Sequence, residues 1–384
     1  MSYQVLARRW RPRQFSEVVG QQHVLRPLVN ALHNNTLHHA YLFTGTRGVG
    51  KTTLARILAK SINCVNGVSA TPCGICENCK AIDAGRFVDM IEVDAASRTK
   101  VEDTRELLEN VPYAPAIGRY KVYLIDEVHM LSRHSFNALL KTLEEPPAHI
   151  KFLFATTDPQ NLLPTILSRC LQLNLKQLER EEISTYLGKI LQEDSVEHDP
   201  PVLWEIATAA RGSMRDALSI LDQALAYGNG VLRQAEVQTM LGTLDRGRIV
   251  SLLKSIAAAD GAALMQEVAQ LAQLSPDYLY LLNEINHRLQ QIALLQQIPD
   301  LSTMIADEHE ALATLAASLN PADIQLYYQI GIHGVRDYPL APTPRAGFEM
   351  TLLRMLAFAP QTRPAALVVT GEVTAELKKK SLTR

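Results

Sequence analysis

The run Gly45-Thr46-Arg47-Gly48-Val49-Gly50-Lys51-Thr52 fits the pattern G-x-x-x-x-G-K-[ST], and it stands in the context that gives the pattern meaning. Ala40–Thr44 ahead of it reads as a strand, and Leu54, Ile57, Leu58 and Ile62 behind it recur at helical spacing. Glycines in such a loop let successive backbone N–H groups turn inward around phosphate oxygens, and the helix N-terminus adds partial positive charge. Lys51 is then expected to reach the β- and γ-phosphates of a nucleotide such as ATP, and Thr52 to ligate Mg²⁺. The second half of such a centre follows. Lys121–Ile125 reads as a buried strand and ends in Asp126-Glu127, at the carboxyl end where open α/β sheets bind ligands. Asp126 is expected to hold Mg²⁺ through water, and Glu127 to orient the attacking water.

Four of the five cysteines form a second cluster, Cys64-x8-Cys73-x2-Cys76-x2-Cys79. Four thiolates at this spacing suffice for a closed tetrahedral Zn²⁺ site, which is structural because no position stays open. Gly74 and Asn78 suit the tight turns that aim N–H groups at sulfur. An iron–sulfur cluster is the rival, although the C-x3-C-P continuation of ferredoxin motifs is missing. Cys170 stands apart and reads as a small core residue opening a strand.

These residues need elements to hold them. With 384 residues the chain has room for two to three domains, and 47% hydrophobic with 20% charged residues is ordinary globular composition. The formal net charge of -2 neither requires nor excludes nucleic acid. Met1 to Arg13 lacks the apolar stretch of an export signal, and no long apolar run spans a membrane, so a cytoplasmic protein is expected. Strands are expected at Ala40–Thr44, Val88–Val93, Lys121–Ile125, Ile150–Thr156 and Cys170–Leu175, in a parallel sheet with helices on both faces. From Glu179 the pattern is helical, broken at Asp199-Pro200-Pro201 and Gly228-Asn229-Gly230. Ser213 reads as a helix cap with Asp216 as a capping-box-like partner, which puts Arg215 in a helix's first turn. In a later helical block, Asn320-Pro321 reads as a cap and first turn backed by Ile324, Tyr327 and Tyr328. Beyond residue 360 a flexible tail is expected.

With these motifs in place the chain resembles the AAA+ ATPases, and among them the motor subunits of the bacterial replicative clamp loader. Trp10-Arg11-Pro12-Arg13-Gln14-Phe15 and Val18-Val19-Gly20-Gln21 resemble the family's adenine-packing segment, which implies nucleotide contacts from Arg11, Pro12, Val18 and Val19. Phe136 to Pro147 resembles the helix and turn after the acidic pair, and Ser168-Arg169-Cys170 the family's Ser-Arg-Cys motif. Gly212-Ser213-Met214-Arg215-Asp216 resembles its lid motif with a phosphate-sensing arginine, and Thr157 stands where many relatives place an asparagine that senses the γ-phosphate. The resemblance implies an α/β nucleotide domain over 1–178 with a zinc insertion at 64–79, an all-α lid over 179–242, an oligomerising all-α collar over 243–360 and a tail over 361–384.

It implies further that Arg169 completes a neighbouring subunit's ATP site. The expected partners are other clamp-loader subunits and copies of this chain, a ring-shaped sliding clamp, primed DNA and the DNA polymerase III holoenzyme. DNA contacts are expected to be sequence-neutral, from Arg98, Lys100, Arg105 and Lys141 to phosphates. Two rival readings are another AAA+ remodeller, such as a branch-migration or unfolding motor, and a vestigial subunit that does not hydrolyse ATP. The chain shows no aromatic pore loop, and both halves of the phosphate centre are intact.

Overall fold

The computed structural model describes residues 4–97, 110–241, 246–273, 276–298 and 309–358. Contacts divide the chain into two compact units, Met1–Leu241 and Gly242–Arg384. The first unit opens with α1 (Leu6–Arg9), α2 (Gln22–His33), β1 (Ala40–Thr44), α3 (Lys51–Asn63) and α4 (Glu77–Asp83). It continues with β2 (Met90–Asp94), β3 (Lys121–Asp126), α5 (Arg133–Glu144), β4 (Ile150–Thr156), α6 (Pro164–Leu167) and β5 (Leu171–Asn174).

The five strands form one sheet in the order β2-β3-β4-β1-β5, with every neighbouring pair parallel. Every residue of β1 and of β4 is buried, as expected for strands covered on both faces. Alternation assigns the faces. Tyr41, Phe43, Val122, Leu124 and Leu153 pack with Leu28 of α2 and Leu54, Ile57 and Leu58 of α3. Leu42, Tyr123, Ile125, Phe152 and Phe154 pack with Phe136, Leu139 and Leu143 of α5 and Ile166 of α6. The phosphate-loop helix therefore rests on one face, and the helix after the acidic pair on the other.

Four helices complete this unit: α7 (Arg180–Glu193), α8 (Pro200–Ala209), α9 (Met214–Tyr227) and α10 (Gln234–Leu241). Their core includes Ile183, Leu187, Ile206, Leu218 and Leu221, and Leu6 of α1 joins it. Of the anticipated breaks, Gly228-Asn229-Gly230 falls between α9 and α10, and Asp199-Pro200-Pro201 is the cap and first turn of α8. The second unit is all-helical among the described residues: α11 (Arg246–Ala257), α12 (Gly261–Ala272), α13 (Tyr278–Gln297), α14 (His309–Ser318), α15 (Pro321–Asp337) and α16 (Pro344–Ala357). Asn320 caps α15 by accepting from Ala322 N–H at 3.0 Å, with Ile324 and Tyr327 buried behind it. No helix among the described residues is long and apolar enough to cross a membrane. The expected tail at 361–384 lies outside the described residues.

Two strands differ from expectation. The strand expected at Val88–Val93 runs over Met90–Asp94 instead. Asp89 ends the preceding turn, its carboxylate accepting N–H bonds from Ala116 and Ile117 at 2.7 Å and Gly118 at 2.6 Å, and Val88 is left exposed. The strand expected at Cys170–Leu175 is Leu171–Asn174, because Arg169 and Cys170 N–H groups bond back to Ile166 and Leu167 carbonyls and finish a turn. Cys170 is buried in the core just ahead of it. Ser213 makes only half of the anticipated box. Its hydroxyl accepts from Asp216 N–H at 3.2 Å, while its own N–H goes to the Ala210 carbonyl.

Asp89 yields a stability prediction. Burial raises its pKa, but the N–H groups of Gly118, Ala116 and Ile117 outweigh that and hold it below the ordinary carboxylate value. A depressed folded pKa stabilises the fold above the unfolded value of about 4, and that contribution is lost as pH falls through the lower folded value. Asp89→Ala is expected to cost about 1.5–3 kcal/mol at neutral pH and to flatten this acid dependence. Urea unfolding followed by tryptophan fluorescence measures it, since Trp10 and Trp204 both lie in the first unit.

Candidate nucleotide-binding and metal sites

The phosphate-type loop joins β1 to α3 at the carboxyl edge of the sheet. Gly48 and Gly50 have φ of 80° and 105°, a region that side chains resist. At Gly48 a Cβ would also overlap the Ser213 hydroxyl, so glycine is required both by the turn and by the approach of α9. Lys51 is buried, and its ammonium donates to the carbonyls of Gly45 and Thr46 at 2.9 Å each. Burial lowers its pKa, while Glu127 and Asp126 raise it in part. Thr52 Oγ1 donates to Asp126 Oδ2 at 2.7 Å, which joins the two halves of the expected centre. The side chains of Thr46 and Arg47 are exposed and that of Val49 is in the core, so Val49 can offer a ligand only its backbone. This cradle, with a cation beneath it and a hydroxyl–carboxylate pair beside it, fits a nucleotide polyphosphate with Mg²⁺.

Register brings the next residues together. Ile125 lies opposite Phe154, so Glu127, just past β3, falls beside the end of β4. Thr157 N–H and Oγ1 donate to Glu127 Oε2 at 3.0 and 2.8 Å. His129 Nδ1 lies 2.9 Å from Thr156 Oγ1 and 3.5 Å from Glu127 Oε2. Glu127 itself has φ of 46°, a strained left-handed conformation for a residue other than glycine.

The segment before α2 links sheet and lid. Val18 packs on the core under the loop, whereas Trp10 and Val19 pack on the lid core. Leu6 N–H donates to Asp222 on α9 at 2.7 Å, and Arg9 pairs with Asp194 at 2.6 Å. Pro12 is half-buried. Arg11 Nε donates to Thr53 Oγ1 at 3.1 Å on α3. Burial and then Arg56 lower its pKa, with Glu92 opposing. Arg215 is exposed on the first turn of α9, and its N–H points at the Gly48 carbonyl 3.4 Å away. Arg11 thus meets the first turn of the helix behind the loop, and the Arg215 backbone meets the loop itself.

Arg169 is elsewhere. Tyr41 of β1 pairs with Leu171 of β5, so Arg169 is level with His39, at the amino end of the sheet. From His39 to Thr44 is roughly 16 Å of strand, farther than an arginine side chain extends. Burial pulls the His39 pKa down and the Arg169 backbone opposes it, in keeping with that placement. Lys141 is exposed on α5. Arg98, Lys100 and Arg105 lie outside the described residues.

The four cysteine ligand atoms all lie within 4.8 Å of one another. Cys64 and Cys73 sulfurs are 3.6 Å apart, and those of Cys73 and Cys79 4.0 Å. Four sulfurs about 2.3 Å from one zinc would be about 3.8 Å apart, so the set fits a tetrahedral ion. A multi-iron cluster needs a wider enclosure. N–H groups of Cys73, Cys76 and Cys79 point at the sulfurs of Cys64, Cys73 and Cys76 at 3.5, 3.4 and 3.4 Å. The N–H of Cys76, then that of Ile75, pulls the Cys73 thiol down to about 6 and favours a thiolate there, whereas burial pushes the Cys79 thiol up, so the metal-free cluster does not hold four thiolates.

Sequence reasoning passed over two residues that anchor this cluster. Asn63, the last residue of α3, accepts from Arg119 and Tyr120 N–H groups at 2.9 Å each and donates to the Tyr120 carbonyl. Arg119 in turn donates to the carbonyls of Cys64 at 2.7 Å and Val65 at 3.0 Å. The far end of α3 is thereby tied to the start of β3. Nothing in the spacing of these two residues announces it.

Comparison with known proteins matches three stretches of the chain. Residues 20–179 match the family described as DNA polymerase III, delta subunit, and residues 182–230 the DNA polymerase III clamp loader subunit, ATPase lid domain. Residues 232–370 match DNA polymerase III subunits gamma and tau domain III. The DNA polymerase III subunit tau/gamma of Haemophilus influenzae is 55% identical over 94% of this chain and 52% of its own length. Subunit tau of Escherichia coli is 57% identical over 94% of this chain and 56% of its own length. Subunit gamma of Buchnera aphidicola is 44% identical over 93% of this chain and 99% of its own. The chain thus spans about half the length of the first two relatives and almost all of the third.

The cysteine geometry carries its own prediction. Protein purified without added zinc is expected to hold one Zn²⁺ per chain by elemental analysis. Cys76→Ser is expected to lower that stoichiometry and to release residues 64–79 to protease first. Iron in place of zinc, or four freely titrating thiols, would contradict the fit.

Proposed function

Since the chain belongs to the DNA polymerase III gamma/tau family, we propose that it is an ATP-hydrolysing AAA+ motor subunit of a replicative clamp loader. The observation that carries this reading is the Thr52–Asp126 hydrogen bond, which holds the phosphate loop against the acidic strand end. ATP would enter between loop and lid, with Arg11, Pro12, Val18 and Val19 along the adenine side. Lys51, already turned over the loop, would exchange the Gly45 and Thr46 carbonyls for phosphate oxygens. Mg²⁺, held by Thr52 and through water by Asp126, would neutralise phosphate charge. Glu127 would orient the attacking water, and Thr157, bonded to it twice, would relate its position to the γ-phosphate. Arg215 would reach the same phosphate from α9, so that nucleotide draws the lid helix and the loop together.

Arg169 cannot serve the site of its own chain, because it sits at the opposite end of the sheet. It would act across a subunit boundary, as arginine fingers do. Assembly would come from the helical unit. On α16, Phe348, Leu352 and Met355 are buried, yet Met350 and Leu353 are exposed on the same helix, an apolar surface suited to another subunit. We assign 1–178 to nucleotide binding, 179–242 to the lid, 243–360 to a collar and 64–79 to a structural zinc knuckle. Partners would be other clamp-loader subunits, copies of this chain, the sliding clamp, primed DNA and the polymerase holoenzyme, in the cytoplasm. Lys141 is an exposed candidate for phosphate contact.

Two variants separate binding from chemistry. Lys51→Ala is expected to weaken ATP binding by about 100-fold, the loss of charge-assisted bonds to phosphate. Glu127→Gln is expected to bind ATP near normally and lower kcat by about 10²–10⁴-fold. Tight binding by folded Lys51→Ala, measured by isothermal titration, would sink the assignment. For the trans role, subunits carrying Arg169→Ala are expected to keep their own ATP affinity. Their neighbours' hydrolysis should fall by about 10³-fold or more. A normal rate in such mixed complexes, with clamp and DNA present, would remove Arg169 from the mechanism.

A further inference from the structure

Arg169 does not project freely from the chain. Its Nη1 donates to the Thr165 carbonyl at 2.8 Å and to Ser168 Oγ at 3.3 Å, and its Nη2 to Glu144 Oε1 at 2.8 Å. The first two acceptors belong to the short α6 and the residue after it. The third is the last residue of α5, a helix buried against the sheet through Phe136, Leu139 and Leu143. The Glu144 carboxylate thus anchors the guanidinium from a second element, one that is itself packed on the sheet. Side-chain exposure is 32% for Arg169 and 54% for Glu144, so the pair lies at the surface with part of the guanidinium turned outward.

We propose that Glu144 is a positioning residue for hydrolysis in the neighbouring subunit, holding Arg169 in the pose from which it meets the neighbour's γ-phosphate. An arginine free in solvent has many rotamers, and freezing them as the transition state forms opposes the reaction. Three hydrogen bonds to the guanidinium restrict that freedom beforehand and leave two of its five N–H donors for an anion. The guanidinium is planar with five donors, so it can keep Glu144 while binding phosphate. Preorganisation of this kind raises kcat and leaves the affinity for ATP alone. The opposite arrangement, in which Glu144 parks the arginine and competes with phosphate, predicts the opposite sign. This inference rests on the trans role of Arg169 and extends it to a residue on another element.

The test uses assembled complexes with clamp and primed DNA, in which the subunit supplying Arg169 also carries Lys51→Ala and so contributes no hydrolysis of its own. Adding Glu144→Ala to that subunit is expected to lower kcat at the neighbour's site about two- to fivefold, the range for a partly exposed ion pair, with KM unchanged. Glu144→Gln, which keeps an oxygen acceptor, should recover part of the loss. In an Arg169→Ala background, Glu144→Ala should have no further effect, a result that general damage to the subunit would not give. If Glu144→Ala raises kcat, the residue parks the arginine and the proposal is overturned. It is overturned equally if kcat stays level while Arg169→Ala lowers it, or if the Glu144→Ala loss persists without Arg169. If Arg169→Ala itself changes nothing, the trans reading falls and this proposal with it.

Discussion

The parallel register of β3, β4 and β1 is the constraint on which the candidate centre depends. Thr44 pairs with Thr156 and Ile125 with Phe154, so the loop, the acidic pair and Thr157 all leave the sheet from one edge. Burial on both faces fixes this register, because a slip of one residue would turn Tyr41 and Phe43 toward α5 and Leu42 toward α3. The same parallelism puts whatever precedes β5 at the other edge, and Arg169 is there. One chain therefore offers a polyphosphate cradle at one end and a guanidinium at the other. Under the proposed function such a molecule would complete its site by head-to-tail association, in which unlike surfaces meet.

Coupling between nucleotide and lid has a small, close contact to work through. The first turn of α9 meets the loop at Gly48, where even a methyl group would clash with Ser213. Elsewhere the lid is tethered by Leu178 N–H to the Gly212 carbonyl and by Leu6 N–H to Asp222. Gln21 holds Lys176 at both its N–H and its carbonyl. In the proposed reading, a nucleotide lodged between loop and Arg215 would act on the lid through these tethers. In the proposed cycle, losing the γ-phosphate would remove the contact that favours the closed arrangement, and the equilibrium would shift back.

Much of this was legible in the sequence because it is local. Strands Ala40–Thr44 and Ile150–Thr156 are legible to the residue, since apolar residues dominate both, Lys151 being the one charge, and strong punctuation lies beside them. The cysteine spacing announced a cluster because ligands a few residues apart can meet only by turning tightly. What sequence missed depends on partners far along the chain. Val88 looks like strand, but Asp89 is captured by N–H groups at 116–118, and the strand starts after it. Cys170 looks like the first residue of β5, but α6 and its closing turn use its N–H. Asn63 and Glu144 bind Tyr120 and Arg169 across the fold, and no periodicity reports such a pair. The sheet order could not be read at all, since β1 takes its place between β4 and β5 by pairing with strands far along the chain.

In the proposed function, hydrolysis serves the loading of a ring clamp onto primed DNA. That role is tested most directly by the steady-state ATPase rate of the assembled subunits, with clamp and primed DNA added separately and together. The account predicts a rate with both that exceeds the rate with either, and that disappears in Lys51→Ala complexes. A rate indifferent to clamp and DNA would contradict it.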